Sequence, residues 1–300
     1  MAKETGKIDF RDQISRNKAK SFFFALIVFA VIIALGYAIS FAFSPEYFFT
    51  IMAFASLISI FYVLITYYNS DKIALASVGA RKADPVLHRA LYNAVENMSI
   101  ASGLPMPKVY VMKGDSINAF ATGRDPQHSS ICVTTCALEK LDKEELEGVI
   151  GHEMSHIANY DIRFVTTVAV VVGAISIFSQ MFLRSLWFRS GNNDDRNGGN
   201  IIFFLIAIVL AILAPIAVKL VQLAISRKRE FMADAGSVQF TRYPPGLINS
   251  LKKIKKEQKG LRVPGAVAPM FFSSATKEKM AELFQTHPRI DQRIKALEAM

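Results

Sequence analysis

The chain has 300 residues, of which 52% are hydrophobic and 20% are charged, and its formal net charge is +10. A hydrophobic fraction this high is unusual for a soluble globular protein and favours a chain with membrane spans. Basic residues beside apolar spans explain the positive charge better than nucleic-acid binding does, so we expect no nucleic-acid partner.

Two uncharged stretches near the N-terminus predict a membrane hairpin with spans at about 21–43 and 47–69. Each is long enough to cross a hydrocarbon core of roughly 30 Å as a helix. The turn between them, Ser44-Pro45-Glu46, carries no Lys or Arg, whereas both outer ends of the hairpin are basic. The positive-inside rule therefore places both ends in the cytoplasm and assigns residues 1–70 to a cytoplasmic segment and this hairpin.

Residues 71–161 are predicted to form a cytoplasmic block with a small antiparallel or mixed sheet. Apolar spacing predicts a helix over 84–102, and β-like segments follow it at 108–112, 118–122 and 130–134. The segment Asn118-Ala119-Phe120-Ala121 is typical of a weak edge strand. In a protease such an edge can bind an extended peptide by backbone pairing, so these four residues are the candidate substrate-binding residues.

The two cysteines, Cys132 and Cys136, lie four residues apart. They do not form a C-x-x-C pair, and we predict that they are buried thiols in a reducing compartment and not metal ligands.

The main chemical signal is the sequence His152-Glu153-Met154-Ser155-His156, which matches H-E-x-x-H. It lies in a helix that is predicted to begin at Asp142, where a D-x-x-E pattern resembles a capping box. Residues four apart share one helix face, so His152 and His156 can bind one metal ion, with Glu153 beside it as general base. The motif predicts a zinc metalloprotease. The ordinary alternative is a pair of surface histidines without a metal.

A second membrane hairpin is predicted within residues 162–225, with spans at about 164–183 and 199–218. The helix that carries the motif is expected to run into the first of these spans with little or no break. A polar, glycine-rich segment around residue 193 predicts a flexible loop outside the membrane.

Catalytic zinc usually has three protein ligands, so a third is required. The carboxylate candidates are Asp161, Glu230 and Asp234. If the chain folds back near residue 193, Glu230 returns to the level of His156, which favours Glu230. Asp234 follows one turn later on the same face and is suited to accept a proton from a ligand histidine. The alternative is that Glu230 and Asp234 are solvated charges on a basic helix.

Residues 226–300 are predicted to form a second cytoplasmic block. It contains a helix over 247–258, a loop over 260–272 and a last helix that begins at His287-Pro288 and contains Arg293. The apolar end of the loop, Met270 to Phe272, either covers the site, rests on the membrane or packs in the core.

Several separate motifs resemble those of the HtpX-type membrane zinc metalloproteases, relatives of the type I CAAX prenyl protease. The similar features are the four spans, H-E-M-S-H, the Asn118–Gly123 segment, the Ser226–Gly236 segment and Thr286-His287-Pro288. The resemblance covers nearly the whole chain. It implies one Zn²⁺ per chain, and it implies these roles: His152, His156 and Glu230 as ligands, Glu153 as the catalytic glutamate, Asp234 as a supporting acid, and His287 or Arg293 reaching the active site.

The resemblance also implies a multi-pass enzyme of the bacterial inner membrane with its site and both termini in the cytoplasm. Its substrates would be polypeptides, mainly misfolded or damaged membrane proteins, and its role would be membrane protein quality control under stress. The resemblance does not specify natural substrates, cleavage preference or oligomeric state.

We therefore expect an α-helical membrane protein with four transmembrane helices and an α+β zincin-like cytoplasmic metalloprotease domain. One alternative is a non-catalytic zinc-binding membrane chaperone or scaffold subunit. Another is a transporter, which is disfavoured because the spans lack the embedded acidic residues that an ion path normally needs.

Overall fold

We analysed a computed structural model of the chain. The structure describes residues 48–169, 227–257, 270–272 and 288–300, together with single helical positions between residues 15 and 33. The predicted span 47–69 falls within these ranges from residue 48 onward. The predicted spans 21–43, 164–183 and 199–218 lie largely outside the described residues, as does the loop around residue 193.

The longest described helix is α1, Phe48–Ser77, with 30 residues. Among the described helices it is the one that is long and apolar enough to cross a membrane. It exposes many large apolar side chains, including Phe49, Phe54, Leu57, Ile58, Phe61 and Ile65. The helix continues beyond the predicted end at residue 69 because its last turns pack on the folded block, where Ala74 and Leu75 are buried with Phe120 and Phe271.

A four-stranded mixed sheet follows, whereas the sequence predicted a small antiparallel or mixed sheet from three segments. Its strands are β1 (Arg81–Lys82), β2 (Lys108–Met112), β3 (Ala119–Gly123) and β4 (Ser129–Thr134). The strands lie in the order β1-β2-β4-β3. The pair β2–β4 is parallel, whereas β1–β2 and β3–β4 are antiparallel. Strand β3 therefore forms one edge of the sheet.

Helix α4 (Lys143–Ala158) carries the H-E-x-x-H motif. The other helices after α1 in the described part of the chain are α2 (Arg89–Ser102), α3 (Thr135–Lys140), α5 (161–169), α6 (Arg227–Thr241), α7 (Pro244–Glu257) and α8 (Ile290–Glu298). Helix α4 packs against α2, α6, α7 and β3, and α8 packs against α6 and α7. The largest apolar cluster fills the space between the sheet and these helices, with Leu91, Ile131, Ile150 and Leu251 fully buried.

Helix α2 begins five residues later than the predicted start at Asp84. The Asp84 carboxylate accepts hydrogen bonds from the backbone N–H groups of Val86 and Leu87, at 2.8 and 2.9 Å. This local turn competes with helix formation, and Pro85 disfavours the helical conformation of the residue before it. The short elements β1 and α3 were not predicted. Helix α3 begins after Thr134, whose hydroxyl accepts a hydrogen bond from Ala137.

The helix that carries the motif is interrupted after Ala158, where the sequence predicted little or no break. Tyr160 has a φ of 57°, and α5 starts at the following residue. A left-handed residue cannot continue the i→i−4 hydrogen bonds of an α-helix, so the chain turns at Asn159 and Tyr160.

Two glycines of α4 allow neighbouring helices to approach closely. A Cβ atom on Gly148 would lie 2.6 Å from the backbone nitrogen of Leu247 in α7, and one on Gly151 would lie 2.9 Å from the Ser237 hydroxyl in α6. The Ser237 hydroxyl donates a 2.6 Å hydrogen bond to the carbonyl oxygen of Gly148. The lower helix propensity of glycine is therefore compensated by tertiary packing.

Candidate active site

The first turns of α4 orient the motif. The Asp142 carboxylate accepts from the N–H of Glu145, and the Glu145 carboxylate accepts from the N–H of Asp142, both at 2.9 Å. This confirms the predicted capping box. Three turns later, His152 and His156 lie on one helix face, and their Nε2 atoms are 3.2 Å apart.

Helix α6 brings Glu230 to the two histidines. Its Oε2 lies 3.8 Å from His152 Nε2, and its Oε1 lies 3.6 Å from His156 Nε2. One ligand atom from each residue lies within 4.8 Å of the others, and among the described residues these three form the group of His, Cys, Asp or Glu side chains close enough to hold a metal ion. The approach is possible because Gly236 of α6 faces Ser155, where a Cβ would lie 2.2 Å from the hydroxyl.

Each histidine is held from behind by a carboxylate. His152 Nδ1 lies 2.8 Å from Asp234 Oδ1, and His156 Nδ1 lies 3.0 Å from Asp161 Oδ2. Because an ionised carboxylate can only accept, each Nδ1 carries a proton, and each imidazole in its neutral form presents its lone pair at Nε2. In the neutral form of both histidines, the two lone pairs face one another across 3.2 Å.

This donor set fits a zinc ion. Tetrahedral coordination with bonds of about 2.0–2.1 Å separates ligand atoms by roughly 3.3–3.4 Å. The separation of the two Nε2 atoms, 3.2 Å, lies near this value. The two Glu230 oxygens lie slightly farther away, Oε1 at 3.6 Å from His156 Nε2 and Oε2 at 3.8 Å from His152 Nε2. Two imidazole nitrogens and one carboxylate are a common ligand set of catalytic zinc. A cation between them also removes the repulsion of two facing lone pairs.

Asp161 reaches His156 because of the break after α4. On a continuous helix, a residue five positions further would point about 140° away from His156. The turn at Tyr160 redirects the chain, so that Asp161 lies behind His156 and not among the three clustered residues. Helical spacing contains no signal for this contact, and the sequence suggested Asp161 as an alternative ligand.

Glu153 lies beside the cluster and is 1% exposed. Among the described residues, no group forms a hydrogen bond with its Oε1. The backbone N–H of Ala121 in β3 donates to its carboxylate, and burial, together with the charge of Glu230, raises the pKa of Glu153 to about 7. A carboxylate with this pKa can both accept and release a proton near neutral pH.

The two histidines differ in proton affinity. Burial and the neighbouring Arg293 lower the pKa of His152 to about 4. Burial also acts to lower the pKa of His156, but its hydrogen bond to Asp161 and the charge of Glu230 outweigh burial and raise the value to about 9. Protons and a metal cation therefore compete for His156, so metal affinity should fall as the pH drops below about 9.

Arg293 of α8 is buried behind His152. Its Nε and Nη2 atoms donate to the two oxygens of Asp234, at 2.9 and 2.6 Å. Its Nη1 lies 3.9 Å from Glu230 Oε2. The structure thus brings Arg293 to the carboxylate that supports a histidine. His287, the other candidate from the C-terminal segment, lies outside the described residues.

The apolar segment Met270–Phe272 packs in the core, which decides among the three alternatives for it. All three side chains are buried. The Phe272 ring lies edge-on to the His152 ring, with 4.8 Å between the two centroids. The Arg293 guanidinium lies 4.6 Å from the centroid of the same Phe272 ring. Phe271 lies 4.8 Å from Phe120 of β3. The predicted substrate-binding residues Asn118 to Ala121 are also buried, next to this segment.

Cys132 and Cys136 are free and buried, as predicted. Neither belongs to the group of residues that could hold a metal ion.

A helix with H-E-x-x-H, whose two histidines meet a carboxylate from another helix, defines the class of metallopeptidases. Comparison with known proteins agrees with this class. The family model for Peptidase family M48 matches residues 85–300. The chain belongs to peptidase family M48 and is a metalloprotease.

Curated relatives are similar over nearly their full length. The chain is 42% identical over 292 residues to a "Protease HtpX homolog" of Caldanaerobacter subterraneus subsp. tengcongensis, with 95% of this chain and 96% of the relative covered. It is 41% identical over 293 residues to the protein of the same name from Dictyoglomus thermophilum, with 97% and 95% covered. A crystal structure of S. mikatae Ste24p aligns with a TM-score of 0.45 at 19% identity, covering 95% of this chain and 66% of that one.

Proposed function

We propose that this chain is a zinc-dependent endopeptidase with one Zn²⁺, held by His152, His156 and Glu230. The observation that carries the proposal is the convergence of the three side chains, whose ligand atoms lie within 4.8 Å of one another. Each imidazole directs its Nε2 inward because a carboxylate holds its Nδ1. Zn²⁺ bound there would polarise the scissile carbonyl and activate the attacking water.

Glu153 is the general base in this proposal. Glu153 points about 100° around the helix axis from His152, so it does not share the helix face of the two histidines and is not a ligand. It nevertheless lies next to the space between the three ligand side chains. Its Oε1 has no hydrogen-bond partner in the described part of the chain, so it can accept a proton from water. Its pKa of about 7 suits the second half of the reaction, in which the proton passes to the leaving amine.

Asp234, Asp161 and Arg293 position the ligands. Asp234 orients His152 and is itself held by two hydrogen bonds from Arg293. Asp161 orients His156. In this proposal Arg293 acts through Asp234 and not on the substrate. His287, which the resemblance implies as the other residue reaching the active site, is the candidate donor that would stabilise the negatively charged oxygen of the reaction intermediate.

The substrate edge is β3. Its residue Ala121 contacts Glu153 through the backbone, so a peptide paired with this strand lies next to the base. Backbone pairing binds many sequences, which suits an enzyme that removes unfolded polypeptides. Asn118, Ala119 and Phe120 build the strand and its buried support.

The proposed substrates are misfolded or damaged membrane proteins, and the proposed location is the bacterial inner membrane with the site in the cytoplasm. The exposed apolar surface of α1 supports contact with the lipid bilayer. The relatives' name, "Protease HtpX homolog", supports a protease. Quality control under stress is the role that the sequence resemblance implies.

The test uses the full-length protein, purified in detergent, and a misfolded membrane protein as substrate. Cleavage should stop when a chelator removes the metal and should return when Zn²⁺ is added. The Glu153→Gln variant should bind Zn²⁺ and leave the substrate intact. Zinc binding without cleavage by the unaltered protein would favour the chaperone or scaffold alternative, and chelator-resistant cleavage would contradict a zinc mechanism.

A further inference from the structure

The direction of the His152 ring depends on packing as well as on its hydrogen bond. Asp234 fixes one point of the ring, through the 2.8 Å contact with Nδ1. Rotation of an imidazole about its bond to Cβ is broad and roughly two-fold, so one hydrogen bond leaves the ring free to tilt. A metal ligand has to point its lone pair within roughly 10–20° of the productive direction. Contacts on the ring itself are therefore a further requirement of the site.

Two aromatic rings lie nearly perpendicular to the His152 ring. The centroid of His156 is 4.8 Å away at an interplanar angle of 85°, and that of Phe272 is 4.8 Å away at 88°. His156 is itself one of the three clustered side chains that could hold a metal ion. Phe272 is not, so it packs on His152 without taking part in metal binding.

The Phe272 ring also contacts the group that holds Asp234. The Arg293 guanidinium lies 4.6 Å from the Phe272 ring centroid, and its Nη2 donates to Asp234 Oδ1 at 2.6 Å. The same Nη2 lies 3.3 Å from His152 Nδ1. Each of these four side chains is at most 1% exposed. Phe272 thus contacts both ends of the chain of groups that runs from Arg293 through Asp234 to His152.

The backbone of Phe272 fixes where its ring lies. The N–H of Phe272 donates to the Ala119 carbonyl in β3 at 2.8 Å, and its carbonyl accepts from Arg293 Nη1 at 3.2 Å. Both contacts use backbone groups of Phe272, so they do not depend on its side chain. A substitution at this position can therefore remove the ring and keep the two backbone hydrogen bonds.

We propose that Phe272 is a positioning residue of the metal centre, whose ring holds the His152 imidazole and the Arg293 guanidinium in the arrangement in which His152 binds the metal. The inference rests on the proposed zinc site and adds to it an apolar residue that acts through His152. The apolar surroundings of a metal site also control the access of water to its ligands, which gives the buried ring a second effect in the same direction.

The preceding residue, Phe271, provides a matched control. It is also fully buried, but its ring lies 4.8 Å from the ring of Phe120. Phe271 belongs to the apolar cluster at the end of α1, whereas Phe272 belongs to the cluster around α4. Leucine at either position removes a buried aromatic ring, so both variants should lose stability. Only the Phe272 substitution should change the metal centre.

The first test measures zinc affinity by competition with a zinc-sensitive chelator, on the full-length protein purified in detergent. Phe272→Leu should weaken zinc binding by roughly 10- to 100-fold, the range that is typical of groups supporting a ligand. Phe271→Leu should bind zinc as tightly as the unaltered protein. Equal affinities of the two leucine variants would overturn the proposal, because Phe272 would then act as an ordinary core residue.

The second test asks whether an aromatic ring restores the affinity. Phe272→Tyr keeps the ring and adds one oxygen atom, so it should bind zinc about 10-fold more tightly than Phe272→Leu. A folded Phe272→Tyr protein that binds zinc as weakly as Phe272→Leu would contradict a role of the ring. Chemical unfolding in detergent checks that each variant is folded.

A further variant keeps the first test decisive if Phe272→Leu does not fold. Phe272→Met fills the space with a flexible, unbranched side chain and lacks the ring, so the same loss of zinc affinity is expected. An affinity equal to that of Phe271→Leu would overturn the proposal here as well. Failure of the proposed function is distinguishable, since the unaltered protein would then bind no zinc through His152, and the inference would fall with it.

Discussion

The two histidines of the motif have the same side chain but different support. His152 Nδ1 is hydrogen-bonded to Asp234, which in turn accepts hydrogen bonds from Arg293. His156 Nδ1 is hydrogen-bonded to Asp161. A supporting carboxylate fixes the tautomer and the direction of a ligand imidazole. Substitutions of the metal ligands, of the carboxylates that hold them and of the general base should therefore have different effects on zinc affinity and on kcat.

The base can be separated from the ligands by one substitution. Glu153→Gln keeps the size of the side chain and does not touch the group of His152, His156 and Glu230. It should retain zinc and reduce kcat by several orders of magnitude, because the amide cannot accept the proton. Metal content and kcat of the purified variant are measured together. Near-normal turnover, with contaminating proteases excluded, would remove Glu153 from the mechanism.

Ligand and supporting carboxylates should differ in their effect on zinc affinity. Glu230→Ala should weaken binding by more than the roughly 10- to 100-fold that is typical of supporting residues, and Asp234→Ala and Asp161→Ala should fall within that range. Competition with a zinc-sensitive chelator provides the affinities. A larger loss in Asp234→Ala than in Glu230→Ala would exchange their roles.

Arg293 should behave as a positioning residue. Arg293→Lys keeps the charge but lacks the planar fork that donates in parallel to both oxygens of Asp234, so zinc affinity should fall about as far as in Asp234→Ala, within roughly 10- to 100-fold. Once enough zinc is added to saturate the variant, much of kcat should return. A large loss of kcat with unchanged zinc affinity would instead indicate that Arg293 acts on the reacting groups.

At the scale of elements, the site depends on how closely three helices approach. Helix α4 meets α6 at Gly151 and Gly236, and it meets α7 at Gly148. The same contact surface carries the hydrogen bond from Ser237 to the Gly148 carbonyl. A small change in this spacing would move Glu230 relative to the two histidines.

Gly148→Ala should therefore destabilise the protein, although alanine is the better helix former. Its Cβ would lie 2.6 Å from the backbone nitrogen of Leu247, and backbone cannot move aside as a side chain can. Overpacking of this kind costs about 1–3 kcal/mol. Chemical unfolding in detergent measures the change, with Lys143→Ala, exposed on the same helix, as control. Equal stability of the two variants would contradict the close approach of α4 and α7.

At the scale of the whole molecule, the exposed apolar surface of α1 stands beside a folded block with a buried polar site. Arg124 and Arg163 stack on Tyr68 and Tyr67 near the end of the apolar run. Tyrosine and arginine are typical of the membrane interface. The catalytic block would then lie directly against the cytoplasmic membrane surface.

The proposed topology can be tested by cysteine labelling. Pro45→Cys and Asp195→Cys, each in a Cys132→Ala/Cys136→Ala background, should react with an impermeant thiol reagent in intact spheroplasts. A cysteine at the exposed position Lys143 should react only after lysis, because the positive-inside rule places the catalytic block in the cytoplasm. Labelling of position 143 in intact spheroplasts would invert the topology.

Local signals were sufficient for much of this molecule. H-E-x-x-H, the capping box at Asp142 and the strand at 108–112 depend on residues close in sequence, and the structure has the box and the strand as predicted. Helical periodicity by itself places two imidazoles on one face. The predicted start of α2 was wrong, and the break at Tyr160 was not predicted. An Asx turn and a left-handed residue interrupt a helix without changing the spacing of its apolar residues, so the apolar periodicity does not reveal them.

Tertiary structure decided which distant groups meet. The hairpin argument named Glu230, but its distances to both histidines depend on helix packing through Gly236 and Gly148. Asp161 supports His156 because of a turn, and Phe272 reaches β3 from another part of the chain by backbone hydrogen bonding. Backbone pairing does not depend on side-chain type, and long-range packing does not follow a sequence period. The sequence therefore determined the chemistry of the site, and the fold decided how that chemistry is supported.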